Sequence, residues 1–214
     1  MTTTTRPMTT TTPLLEVSHL RVEFPTRRGT LLALDDISFS IAPGEILGVV
    51  GESGAGKSLT GAAIIGLLDP PGRIAAGEIK LAGRRIDNLP YEQMRRIRGK
   101  EIGAVFQDPL TSLNPLYTVG RQLVETITTH LDLTASQARA RAVELLASTG
   151  IPAPEARVDH FPHQFSGGMR QRVVIALALA ANPKLIVADE PTTALDVSIQ
   201  AQIIALLKKV CREQ

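Results

Sequence analysis

The sequence has no tryptophan, a single cysteine and only 3% aromatic residues. A chain so poor in flat side chains is not built as a stacking platform for single-stranded nucleic acid. Cys211 alone can close no internal disulfide and found no cysteine-based metal cluster, which fits a reducing compartment. Long apolar runs are missing as well. The longest, Val173 to Ala181, is about half of the roughly 20 residues a bilayer-spanning helix needs, so any membrane contact is expected to be peripheral. A large excess of one sign of charge is missing too: a net charge of +2 is no electrostatic footprint for nucleic acid, although the pI near 8.9 leans basic. The run Arg95, Arg96, Arg98, Lys100 reads as a solvated helix face.

What is present is ordinary globular material, 43% hydrophobic and 21% charged over 214 residues. That length suits one sizeable α/β domain carrying a smaller inserted subdomain. Residues 1–13, mostly threonine, lack the apolar core of a secretory signal and read as a disordered tail. Met8, followed by a second threonine run, is an alternative start to Met1.

From Leu14 the pattern is that of short strands. Leu20, Val22 and Phe24 alternate with polar residues, as do Ile37, Phe39 and Ile41 after a turn around Arg28-Gly29, which predicts two half-buried strands. The continuous run Ile46-Leu47-Gly48-Val49-Val50 predicts a strand buried on both faces in a parallel sheet. A helix is expected over Lys57 to Leu68, stopped by Asp69-Pro70-Pro71-Gly72. Further strands are expected at Ile79 to Leu81 and Ile102 to Phe106, around a short helix from about Tyr91 to Arg98. From about residue 110 to 180 the periodicity is helical, with a capping box at Thr134 and Gln137 and a stop at Gly150. Strand character returns at Leu185-Ile186-Val187-Ala188, before a last helix from about Val197 to Val210. Strands on both sides of a helical block suggest one sheet with a helical subdomain inserted into it.

Gly51-Glu52-Ser53-Gly54-Ala55-Gly56-Lys57-Ser58 matches G-x-x-x-x-G-K-[ST] between a predicted strand and a predicted helix. Glycines let successive N–H groups turn inward around phosphate oxygens, and the helix N-terminus adds partial positive charge. Lys57 would reach the β and γ phosphates of a nucleoside triphosphate, read as ATP, and the Ser58 hydroxyl would ligate Mg²⁺. Asp189 and Glu190 close the strand Leu185 to Ala188 at its carboxyl end, where α/β sheets present functional groups. Asp189 is the candidate for Mg²⁺ through water, and Glu190 the candidate to polarise the attacking water.

Ser166-Gly167-Gly168-Met169-Arg170-Gln171-Arg172 opens another helix, and a Ser-Gly-Gly turn there is a second anion site, suited to holding a γ-phosphate from its far side. With this segment the chain resembles the ATP-binding subunits of ABC transporters, whose signature motif is written here Phe165-Ser166-Gly167-Gly168-Met169. The resemblance covers residues 14–214. It implies a P-loop NTPase with a mainly parallel core sheet, an N-terminal antiparallel β subdomain and a helical subdomain at about 110–180. Two subunits, identical or related, would pair head to tail, with Ser166, Gly167, Gly168 and Met169 completing the partner subunit's ATP site. Phe24 would stack on adenine, and Gln107 would sense Mg²⁺ and water. Thr193-Ala194-Leu195-Asp196 resembles the D-loop, which contacts the partner. The segments Gln107 to Pro115, Phe161 to Gln164 and Glu190 to Val197 are similar to the dipeptide and oligopeptide importer ATPases, a subfamily that also imports nickel and glutathione.

That likeness implies an ATPase peripheral to the cytoplasmic face of the membrane, working with two permease subunits and, indirectly, a solute-binding protein, and not with nucleic acid. The alternatives are an ABC-type ATPase acting on nucleic acid or ribosomes, and a non-hydrolysing regulatory module. Relatives carry a switch histidine on one further strand, whereas this sequence stops at Gln214; none of His19, His130, His160 and His163 takes that place, so slow turnover is expected. His160 and His163, with Pro162 between them, read as packing and capping groups rather than metal ligands.

Overall fold

The computed structural model describes residues 12–192 and 195–213, with Leu110 and Glu213 described by backbone alone. Most of the threonine-rich tail, and Thr193 and Ala194 of the expected D-loop, lie outside those residues. The chain opens with a twisted hairpin, β1 (Leu15–Thr26) and β2 (Gly29–Ile41), turning where Arg28-Gly29 predicted. Val17 faces Phe39, Leu20 faces Ile37 and Val22 faces Leu34 across the antiparallel ladder. After α1 (Lys57–Ile64), β3 (Arg73–Leu81) pairs with the other edge of β1, and the two-residue β4 (Arg84–Arg85) completes a sheet of order β2-β1-β3-β4. Leu15, Val17, Leu20, Val22, Ile79 and Leu81 are buried, the alternation expected of a sheet with one face in the core.

α1 stops earlier than the expected Leu68. Gly66, at φ +66°, lets the N–H of Leu67 reach back to the Ala62 carbonyl and its own N–H to that of Ala63, a turn that consumes the last carbonyls of the helix. α2 (Tyr91–Ile97) buries Met94 and Ile97 and leaves Arg95, Arg96 and Lys100 exposed, as a solvated face should; Arg98 lies over the Tyr91 ring and donates to the Gly66 carbonyl.

β5 (Ile102–Val105) follows, and then five helices: α3 (Pro109–Ser112), α4 (Val119–His130), α5 (Ala135–Ser148), α6 (Pro154–Arg157) and α7 (Gly167–Ala178). α5 has the predicted capping box at Thr134 and Gln137 and buries Ala138, Ala142, Leu145 and Leu146 on one face. The chain returns as β6 (Leu185–Ala188), parallel to β5 with Ile102 beside Leu185 and Val105 beside Ala188. It ends in α8 (Val197–Glu213), which presses Ile203 and Leu206 onto the helical core. The architecture is therefore the expected one of antiparallel sheet, helical block and parallel strands.

One element differs. Ile46 to Val50, expected as a strand buried on both faces, belongs to no sheet among the described residues, and Val50 is 93% exposed. A parallel strand is buried only when neighbours cover its edges and faces, and among the described residues β6 has β5 as its one strand neighbour. Between this segment and β6 lies a cavity of about 560 Å³, bordered by Ile46, Leu47, Leu185, Ile186 and the last turns of α8.

The helical block reaches the parallel strands through Gly103, where an added Cβ would lie 2.4 Å from the Ala178 carbonyl oxygen of α7. Gly103→Ala is therefore expected to cost about 1–3 kcal/mol of stability by overpacking. Urea unfolding measures this, and an unchanged midpoint would mean that α7 moves away without cost.

Candidate functional site

The loop between Val50 and α1 turns on two glycines in the left-handed region, Gly54 at φ +83° and Gly56 at φ +82°. Gly56 is the N-cap residue of α1 and no side chain caps that helix, so its first N–H groups face the loop, free of side-chain acceptors and suited to an anion. Lys57 folds back over the loop and donates to the carbonyls of Gly51 at 2.9 Å and Glu52 at 2.8 Å. The loop is seated from below by Leu34 of β2, whose Cδ2 would stand 2.4 Å from a Cβ on Gly56, and α1 rests on β6 through Gly61 and Val187.

β6 delivers the two carboxylates. The Asp189 N–H extends the ladder to the Val105 carbonyl at 2.9 Å, which fixes where the strand ends. The Ser58 hydroxyl then donates to Asp189 Oδ1 at 2.9 Å, although the two residues are 131 positions apart. Glu190 follows at φ +45°, a conformation that side-chain-bearing residues rarely hold and that clusters at functional sites. Its Oε2 accepts from Gln107 Nε2 at 3.0 Å. The parallel pair thus brings together four residues read separately in the sequence: Ser58 with Asp189, and Gln107 with Glu190.

Ser166, Gly167, Gly168 and Met169 stand elsewhere, at the start of α7. Ser166 is the N-cap and its Oγ accepts from the Met169 N–H at 3.3 Å. Gly168 lies against α8, where an added Cβ would be 2.9 Å from Ile199 Cγ2. One turn further along the same face, Arg172 donates to Gln202 Oε1 at 2.8 Å and to the Thr149 carbonyl at 2.7 Å. Arg172 carries no role in the sequence reading, and its i+4 spacing from Gly168 is the one local signal that points to it.

Phe24 is half-buried on β1, two residues beyond Val22, whose cross-strand neighbour is the same Leu34 that supports the loop. Asp196 accepts from the N–H groups of Ile199 and Gln200 and so opens α8. The histidines pack as expected: His160 meets Phe165 edge-on and His163 stacks on Phe161. His130 lies against Gly99, and burial, aided by the Lys100 ammonium, holds its pKa below the usual imidazole value. Among the described residues, no group of three or more His, Cys, Asp and Glu converges as a metal site.

Residues 34–193 match the family described as ABC transporter. The chain is 55% identical to the oligopeptide transport ATP-binding protein OppD of Bacillus subtilis (strain 168), over 92% of this chain and 55% of that protein. It is 49% identical to the dipeptide transport ATP-binding protein DppD of Escherichia coli (strain K12), over 94% of this chain and 62% of that one. It therefore spans less than two thirds of the length of these relatives. Among solved structures, the ATP-binding cassette MJ0796, a dimer in a post-hydrolysis state bound to ADP and Pi, superposes with a TM-score of 0.81 at 31% identity, covering 93% of this chain and 83% of that one.

The Ser166 cap carries an expectation of its own. Ser166→Ala removes the acceptor for the Met169 N–H and should cost about 1 kcal/mol, read as a lower urea midpoint.

Proposed function

The chain belongs to the ABC transporter family, and from that premise we propose that it binds and hydrolyses ATP to power an importer of dipeptides, oligopeptides or a related small solute. The observation that carries the chemistry is the Ser58–Asp189 hydrogen bond, which closes the phosphate loop and the end of β6 into one site. The solute class rests on the two peptide-transport relatives. In this reading Gly51 to Ser58 cradle the triphosphate, Lys57 exchanges its loop carbonyls for phosphate oxygens, and Phe24 stacks on adenine. The donor set fits Mg²⁺, a hard cation that takes oxygen ligands: the Ser58 hydroxyl, the Asp189 carboxylate through water, and the amide oxygen of Gln107. Bound there, Mg²⁺ would neutralise charge on the phosphates.

Glu190 polarises the attacking water, oriented by its hydrogen bond from Gln107. Ser166, Gly167, Gly168 and Met169 serve the ATP of a second subunit, identical or related, docked head to tail. Residues 110–180 form the helical subdomain of an ATP-binding domain that starts at residue 14. Two permease subunits receive the motion at the cytoplasmic face of the membrane, and a solute-binding protein supplies the cargo; no helix among the described residues is long and apolar enough to cross the bilayer. No observation favours the nucleic-acid or regulatory alternatives.

Titration with a fluorescent ATP analogue tests the binding site: Lys57→Ala should raise Kd at least tenfold, while Glu190→Gln keeps ATP binding and lowers turnover at least 100-fold, on the order expected for losing a general base. Glu190→Gln with unaltered turnover overturns the catalytic assignment.

A further inference from the structure

Gly72 has no obvious reason to be glycine. It lies just before β3, its N–H donates to the Asp69 carbonyl at 2.8 Å, and its φ is not in the left-handed region, so backbone conformation alone does not call for glycine. What it lacks is room. A Cβ built there would lie 2.6 Å from Cε1 and 2.8 Å from Cζ of Phe24, and 2.8 Å from the Asp69 oxygen. Cε1 and Cζ lie at the end of the ring far from the backbone. Separations under 3.0 Å between a Cβ and its neighbours essentially never occur, so a side chain at position 72 would have to displace the ring, the Asp69 turn or both.

The place itself matters. Glu23, next to Phe24, pairs with Arg73, next to Gly72, so the two residues meet where β1 and β3 run side by side. On its other edge β1 pairs Val22 with Leu34, and Leu34 touches Gly56 of the phosphate loop. Two residues of strand span about 7 Å, so Phe24 stands that far along β1 from the residue paired with the loop's support. We propose that Gly72 is a positioning residue for nucleobase recognition: it seats the Phe24 ring at the height where the base of a nucleotide held by Gly51 to Ser58 meets it. The proposal rests on the reading of Phe24 as the adenine-stacking residue.

The test compares ATP with inorganic tripolyphosphate, which occupies the loop and lacks a base. Phe24→Ala should raise the Kd for ATP about fivefold or more, the range for loss of one base–aromatic stack, and leave tripolyphosphate unchanged. Gly72→Ala should do the same in direction, and the double variant should bind ATP no more weakly than Phe24→Ala alone. If Phe24→Ala leaves ATP affinity intact, the stacking reading fails and this proposal with it. If Phe24→Ala weakens ATP but Gly72→Ala does not, or if Gly72→Ala weakens tripolyphosphate equally, the positioning role alone is refuted. Should Gly72→Ala fail to fold, Phe24→Leu removes the ring atoms that meet the new methyl. The pair Gly72→Ala with Phe24→Leu is then read against Phe24→Leu alone: equal ATP affinities support the proposal, and a further loss refutes it.

Discussion

The parallel pairing of β5 with β6 is the constraint on which the rest depends. Four residues from each strand, Ile102 to Val105 and Leu185 to Ala188, come together across a sequence gap that holds the whole helical block. Ile102 and Leu185 belong to the core beneath the antiparallel sheet, while Val105 belongs to the helical core, so the pair is the seam along which the two apolar clusters meet. The same ladder sets where Asp189 and Glu190 emerge, and where Gln107 leaves β5 to meet them. Without this register, a carboxylate 131 positions from Ser58 has no means of finding it.

At several crossings between elements, glycine permits contact. Gly56 combines a left-handed backbone with contact against Leu34, Gly61 brings α1 down onto Val187, Gly103 brings β5 under α7, and Gly168 brings α7 onto Ile199. Each removes a methyl at a crossing between elements, and interiors packed at crystal density transmit displacement across such crossings rather than absorbing it. The start of α7 is therefore joined to α8 by a steric contact and a hydrogen bond, and α8 begins a few residues after Glu190.

How much of this was legible in the sequence divides along the range of the interactions. The capping box at Thr134, the helix that Ser166 opens and the strand Leu185 to Ala188 rest on residues within a few positions of one another, and these elements stand where the spacing placed them. The early stop of α1 is local too, set by Gly66 rather than by Pro70-Pro71. Ile46 to Val50 was misread because apolar composition reports what a strand can bury, not whether a neighbour is there to cover it. The contacts Ser58–Asp189 and Gln107–Glu190 depend on tertiary register, so the residues could be nominated singly and not as pairs. Arg172 and Gly72 were passed over for a related reason: each matters through what it leaves room for or reaches across to, and neither leaves a mark in composition.

The posture of Lys57 bears on how fast the loop can capture an anion. A free lysine side chain carries about 2 kcal/mol of rotamer entropy, which an incoming ligand would ordinarily have to remove. Here two carbonyls of the loop already hold the ammonium, so that ordering is complete before any phosphate oxygen arrives. The cation need only exchange neutral acceptors for charged ones over a short path.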